Sequence, residues 1–175
     1  AWCIGPPLKQ SLAVLIETDD ENRVNEALSL FRERFGKTGL YENAVYPDIP
    51  QVLKDLKRNG HRLFMATAKA GVYAKKIMVH FGLVSHFERI YGSELDGTRA
   101  DKSELIAYIL EKEKIPAKNT VMVGDRKHDM IGGKTNGVKG IGALWGYGSQ
   151  SELAAAGAIL CVNAPEELVS AINGI

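Results

Sequence analysis

An apolar run, Val121-Met122-Val123, ends in Gly124 and is followed by two carboxylates, Asp125 and Asp129. Such a run reads as a buried strand that hands acidic side chains to the start of a helix. Asp125 leaves the strand tip and Asp129 sits one turn into the helix, so both can face one point. Two carboxylates that close resist joint ionisation unless a cation lies between them. A hard ion such as Mg²⁺ suits the pair, because it is held by one or two carboxylates together with phosphate oxygens. The plainer alternative is a surface Asp and a helix-capping Asp, and G-D-x-x-x-D by itself does not choose between them.

Other polar residues fall just past predicted strand ends. Thr67 and Lys69 follow the run RLFMAT, and Lys102 opens a predicted helix. A hydroxyl, one or two ammonium groups and a carboxylate pair at one rim are what a phosphoryl group needs. The hydroxyl and backbone N–H groups bond its oxygens, a lysine offsets its charge, and the carboxylates hold the bridging ion. Each also has an ordinary explanation: Thr67 ends a strand and Lys69 is a surface lysine. Lys102 in a first helical turn works against the helix dipole, which hints at a specific partner. His61, His80, His86 and His128 share no metal-like spacing.

The elements that must position these residues are legible as periodicities. Leu8, Leu12, Leu15 and Ile16 recur at helical spacing. Thr18 and Glu21 read as a capping box ahead of a helix whose stripe is Val24, Ala27, Leu28, Phe31 and Phe35, closed by Gly36 and Gly39. Asp48 is placed to cap a helix carrying Ile49, Val52, Leu53 and Leu56. Strands are predicted over 62–67, 87–91, 120–124, 138–143 and 158–162. Helices are predicted over 71–81, 102–114, 128–136, 151–156 and 165–172. This alternation implies an α/β fold, a parallel sheet with helices on both faces, with its chemistry at the carboxyl ends of the strands. The division expected is a partial helical cap over 1–42 and an α/β core over 43–175.

Bulk properties narrow the class. With 175 residues, 25% charged, 45% hydrophobic and a net charge of +1, nothing points to an electrostatic grip on nucleic acid or a membrane. Cys3 and Cys161 are too few and too far apart for a disulfide framework or a zinc site, which reads as two reduced thiols in a cytoplasmic protein.

Three stretches, L-F-M-A-T-A-K, D-G-T-R-A-D-K and V-M-V-G-D-R-K-H-D-M-I-G-G-K-T-N-G, together resemble the haloacid dehalogenase superfamily. More narrowly they are similar to its phosphoglycolate phosphatase and 5′-nucleotidase-like branch, as are Ile4-Gly5-Pro6-Pro7-Leu8 and Trp145-Gly146-Tyr147-Gly148-Ser149. The resemblance covers nearly the whole chain. It implies a Mg²⁺-dependent hydrolase of small phosphorylated metabolites, monomeric or homodimeric, that works through an aspartyl-phosphate. It further implies that Thr67 bonds the phosphoryl oxygens, with Ala68, Lys69 and Gly124 beside the substrate. Lys102 neutralises charge between phosphate and nucleophile, and Asp125 and Asp129 ligate Mg²⁺.

The family's first motif, an apolar strand followed by D-x-D-x-T, supplies nucleophile and general acid–base and precedes the cap. It is absent here. Glu94-Leu95-Asp96-Gly97-Thr98 carries D-G-T, but Glu94 stands at the nucleophile's place and the stretch falls out of order. The resemblance places the missing strand in the middle of the sheet, between the strands ending at Thr67 and Gly124. Two edges should then lie unpaired inside the fold. The expectation is therefore a C-terminal portion of a longer phosphatase, inactive alone. The alternatives are a non-catalytic protein that binds Mg²⁺, phosphate or a partner, and a phosphotransferase on the same scaffold.

Overall fold

The computed structural model describes residues 7–175. The stretch 1–6, with Trp2, Cys3 and most of the Ile4–Leu8 motif, lies outside the described residues. In chain order the elements are α1 (Leu8–Leu15), α2 (Glu21–Lys37), α3 (Ile49–Arg58), β1 (Phe64–Ala70), α4 (Gly71–His80), β2 (Arg89–Ser93), α5 (Lys102–Glu113), β3 (Val121–Gly124), α6 (Lys127–Thr135), β4 (Lys139–Ala143), α7 (Gln150–Ala156), β5 (Ala158–Val162) and α8 (Glu167–Asn173).

The strands form two parallel sheets rather than one. β1 pairs with β2, and β3-β4-β5 form a second sheet. The break falls between β1 and β3, where the family resemblance leads one to expect a missing strand. Phe64–Thr67 and Thr120–Val123 face a shared cavity of about 960 Å³. Its other walls are mostly apolar side chains of the flanking helices, among them Val52, Leu56, Ile106, Ile109 and Leu168, with Arg62, Lys69, Lys118 and Lys139 also lining it. β1 and β3 each keep one edge with no strand partner among the described residues.

Helices cover both faces. Val52 and Leu56 of α3 and Leu168 of α8 form a buried cluster with Ile141 of β4 and Val162 of β5. Met130 of α6 and Leu105 of α5 are fully buried in the helical layer that carries the site residues. Asn136 ties α5 to α6, its Nδ2 donating to the carbonyls of Ser103 and Gly132, each at 2.9 Å. At the opposite end of the strands, Arg62 donates to both Glu88 carboxylate oxygens and reaches Glu113 at 3.5 Å. The Tyr91 hydroxyl donates to the same Glu113, so the start of β1, β2 and the end of α5 share one polar knot.

Several local expectations need correction. The N-cap of α2 is Asp20, not Thr18. The Asp20 carboxylate accepts from Asn22 N at 2.8 Å, and Thr18 Oγ1 instead accepts from Asp20 N at 3.2 Å. A carboxylate beside the first turn outcompetes a hydroxyl two residues earlier. Asp48 makes no side-chain cap on α3, because it adopts a left-handed conformation (φ 64°), with Pro50 in the first turn. Gly36 lies inside α2, which runs on to Lys37. β1 is shifted later, to end at Ala70, so Thr67 lies within the strand rather than at its tip. β2 starts two residues later than expected, because residues 84–86 form a 3-10 turn.

Candidate active site

The site grows from the carboxyl ends of β1 and β3 and the N-termini of α5 and α6. Lys102, the first residue of α5, extends across to β1, where its Nζ donates to the Ala66 carbonyl at 2.8 Å. The same Nζ lies 2.9 Å from Asp129 Oδ1. The unfavourable position of this lysine against the α5 dipole is thus answered by a carboxylate and an edge carbonyl. Asp129, the third residue of α6, is buried. Its Oδ2 accepts from Arg126 N at 3.1 Å, which closes the turn between β3 and α6.

Gly124 is where this arrangement requires glycine. A Cβ there would stand 2.3 Å from Asp129 Cβ and 2.5 Å from its Oδ2. Asp125 is held from the other side. Its Oδ2 accepts from Tyr147 N at 2.9 Å, and a Cβ on Gly146 would fall 2.2 Å from Asp125 Cβ. Trp145, packed against the apolar cluster under β4, anchors the start of that loop. The stretch 145–149 therefore serves as a cradle for Asp125.

Of the residues expected in the site, Lys102 and Asp129 are in contact, Gly124 lies against Asp129, and Asp125 follows Gly124 in the chain with its carboxylate on Tyr147 N. Thr67 keeps its hydroxyl near the backbone, Oγ1 accepting from Lys69 N at 3.2 Å. Ala68 lends its carbonyl to Ser93 Oγ at 3.0 Å, which fixes the irregular end of β1 against β2. Lys69 goes elsewhere: its Nζ sits 4.9 Å from the centre of the Phe35 ring on α2. The surrounding protein pushes its ammonium pKa down by desolvation. It therefore joins β1 to α2 rather than to either aspartate.

Other residues emerge only in the fold. Glu152 of α7 bonds Arg126 and Lys127 at the start of α6. Tyr46, on the segment between α2 and α3, has its pKa raised by burial and by the nearby Tyr147 and Asp125, which puts it beside the site. His128 Nδ1 is buried without a hydrogen-bond partner among the described residues, and desolvation, helped by Lys127 and Arg126, lowers its pKa. Asp96 is a turn residue. Its Oδ1 accepts from Thr98 N at 2.9 Å, a bond that holds its carboxyl below the usual range. Glu94 is occupied by Arg99.

The donor set fits a hard cation in part. Two carboxylates four residues apart, Asp125 cradled by backbone and Asp129 of α6 buried beside an ammonium, are oxygen ligands of the type Mg²⁺ takes. Among the described residues no group of three or more His, Cys, Asp or Glu side chains could hold a metal. Asp125 and Asp129 would therefore share the ion with water and with oxygens from outside this set.

A profile of the haloacid dehalogenase-like hydrolases matches residues 1–143. The chain belongs to this family. Among its relatives is a 5′-nucleotidase of Pseudomonas aeruginosa, 49% identical over 152 residues, 87% of this chain and 68% of that protein. The tyrosine-protein kinase PtkA of Mycobacterium tuberculosis is 34% identical over 145 residues, 83% of this chain but only 49% of its own length. The crystal structure of a predicted phosphatase from Clostridium acetobutylicum superposes with a TM-score of 0.94 at 38% identity. It covers 99% of this chain and 80% of the other. The fold is accordingly that of haloacid dehalogenase-like phosphatases, and the sheet is a divided form of it. No described helix is long and apolar enough to cross a membrane.

Proposed function

We propose that this fold carries out Mg²⁺-dependent hydrolysis of a small phosphomonoester, of the phosphoglycolate or nucleotide type, through an aspartyl-phosphate. The observation that carries this reading is the contact of Lys102 with Asp129 at 2.9 Å beside the cradled Asp125, at the rim where β1 and β3 end. In this reading Asp125 and Asp129 would hold Mg²⁺, which would supply Lewis-acid stabilisation of the phosphate charge. Thr67 and the backbone of Ala68 bond phosphoryl oxygens, and Lys102 balances charge between phosphate and nucleophile. Lys69, turned toward α2, faces the cap side of the substrate. The nucleophilic carboxylate comes from an extended segment seated between β1 and β3, and the 175 residues without it do not turn over. The protein works in the cytoplasm, as a monomer or homodimer.

The test is hydrolysis of p-nitrophenyl phosphate with and without Mg²⁺. The 175-residue chain should give none, and a chain extended by an apolar strand ending in D-x-D-x-T should give Mg²⁺-dependent turnover. Mg²⁺-dependent turnover by the 175 residues alone would refute the assignment of the nucleophile. A second reading, phosphoryl transfer to a hydroxyl rather than water, is favoured by one observation, the 34% identity to a relative named as a tyrosine-protein kinase. Product analysis separates the two, since transfer leaves the phosphoryl group on the acceptor.

A further inference from the structure

Asp125 follows β3 and Asp129 lies in the first turn of α6, and both ends of this connection are held by the segment that leads into α7. Arg126 is the N-cap residue of α6 and its side chain offers no acceptor to the helix's first N–H groups. The acceptor comes from 25 residues further along the chain. Glu152 Oε1 accepts from Lys127 N, the first amide of α6, at 2.9 Å, and from Arg126 Nε at 2.9 Å. These two bonds hold the Glu152 carboxyl below its usual range. Glu152 is itself fixed, because Ser149 Oγ, the N-cap of α7, accepts from its backbone N–H at 3.1 Å. Two residues before Ser149, Tyr147 N bonds Asp125. One short segment, 147–152, therefore grips Asp125 at one end and the first turn of α6, two residues before Asp129, at the other.

We infer that Glu152 is a positioning residue for the Asp125–Asp129 pair: it caps α6 from outside the helix and so sets the separation of the two carboxylates for a divalent cation. Its carboxylate touches neither aspartate and reaches them only through the helix it caps. This inference rests on the reading of that pair as a cation site. Partners of this kind, one bond removed from the ligands, typically account for about 10–100-fold in metal affinity.

The experiment compares the 175-residue chain with Glu152→Ala and Glu152→Gln by Mg²⁺ titration calorimetry and by amide hydrogen exchange at Lys127. In Glu152→Ala the Lys127 amide should exchange at least about tenfold faster and Mg²⁺ affinity should fall about tenfold or more. Glu152→Gln retains an acceptor for Lys127 N and should lie between the two on both readouts, which a general loss of folding would not produce. Unchanged exchange at Lys127 in Glu152→Ala overturns the inference, as does faster exchange with unchanged Mg²⁺ affinity. If Glu152→Ala fails to fold, the decision passes to Glu152→Gln, where wild-type values on both readouts overturn it. A wild-type chain that binds no Mg²⁺ overturns the cation half of this inference, while the proposed function is decided separately by Mg²⁺-dependent p-nitrophenyl phosphate hydrolysis in the extended chain. Exchange at Lys127 then still decides whether Glu152 holds the helix.

Discussion

Lys102 Nζ lies 2.9 Å from Asp129 Oδ1, with each side chain only 11% exposed, and the same Nζ donates to the Ala66 carbonyl on the open edge of β1. One ammonium thus neutralises a buried carboxylate and satisfies a backbone group that has no strand partner among the described residues. Removing it should cost more than an ordinary surface ion pair. Lys102→Met leaves a buried charge uncompensated, for which about 3–5 kcal/mol of stability is expected to be lost. Urea unfolding measures this. Asp129→Asn added to Lys102→Met should recover much of the loss, because the uncompensated charge is gone. A Lys102→Met chain as stable as the wild type would show that the pair contributes nothing.

Gly124→Ala tests the close approach that brings Asp129 to the strand tip. The new Cβ would meet Asp129 Cβ at 2.3 Å, and neither backbone can yield without moving the start of α6. A loss of about 1–3 kcal/mol is expected from overpacking. Mg²⁺ affinity should drop with it, as read by titration calorimetry. Gly36→Ala is the control. It lies within α2, where a Cβ would meet Tyr73 at an ordinary 3.6 Å. The higher helix propensity of alanine should make that change neutral or stabilising by up to about 1 kcal/mol.

What could be read from the sequence was set by local periodicity and by carboxylate spacing. The alternation of strands and helices and the Gly124-Asp125-Asp129 turn follow from residues close in the chain, whereas the gap between β1 and β3 was expected only from the family resemblance. The misplacements have local causes too. Thr18 and Asp20 both offer cap oxygens, and the fold uses the charged one. Thr67 reads as a strand end only because Ala68, Lys69 and Ala70 lack the β-branched pattern of a strand, yet β1 continues through them against β2. Lys69 has the same local sequence whether it faces a phosphate or Phe35, so its direction was not legible. Glu152, the Ala66 carbonyl and the Tyr147 amide act across 22 or more residues, and a backbone group carries no signal in residue type.

Tyr91 should give the fold a specific sensitivity to alkali. Burial, then the hydrogen bond to Glu113, raises its pKa to about 12. A tyrosine pKa raised on folding means the native state holds the proton more tightly than the unfolded chain. Its contribution is complete below the unfolded value near 10 and is lost as pH rises from there toward 12. Solvent screening at this partly buried site reduces the effect to about 1 kcal/mol or less. Thermal unfolding between pH 9 and 11.5 should therefore decline more steeply for the wild type than for Tyr91→Phe. Parallel profiles would remove Tyr91 from the account.

The divided sheet makes a prediction about single amides. In a strand, successive residues direct their N–H and C=O groups to opposite edges. β4 is paired on both sides, with β3 and with β5, so its interior amides should all exchange slowly. β1 and β3 are paired on one side only among the described residues. Alternate amides of Phe64–Thr67 and Val121–Gly124 should therefore exchange fast, and their neighbours slowly, in native-state hydrogen exchange followed by NMR. The apolar walls of the 960 Å³ cavity make the same edges adhesive. Protection of every amide in β1 and β3 that disappears on dilution would show that a second copy pairs there. Protection that persists at low concentration would show that the edges are paired within the chain, and the vacancy between the two half-sheets would have to be abandoned.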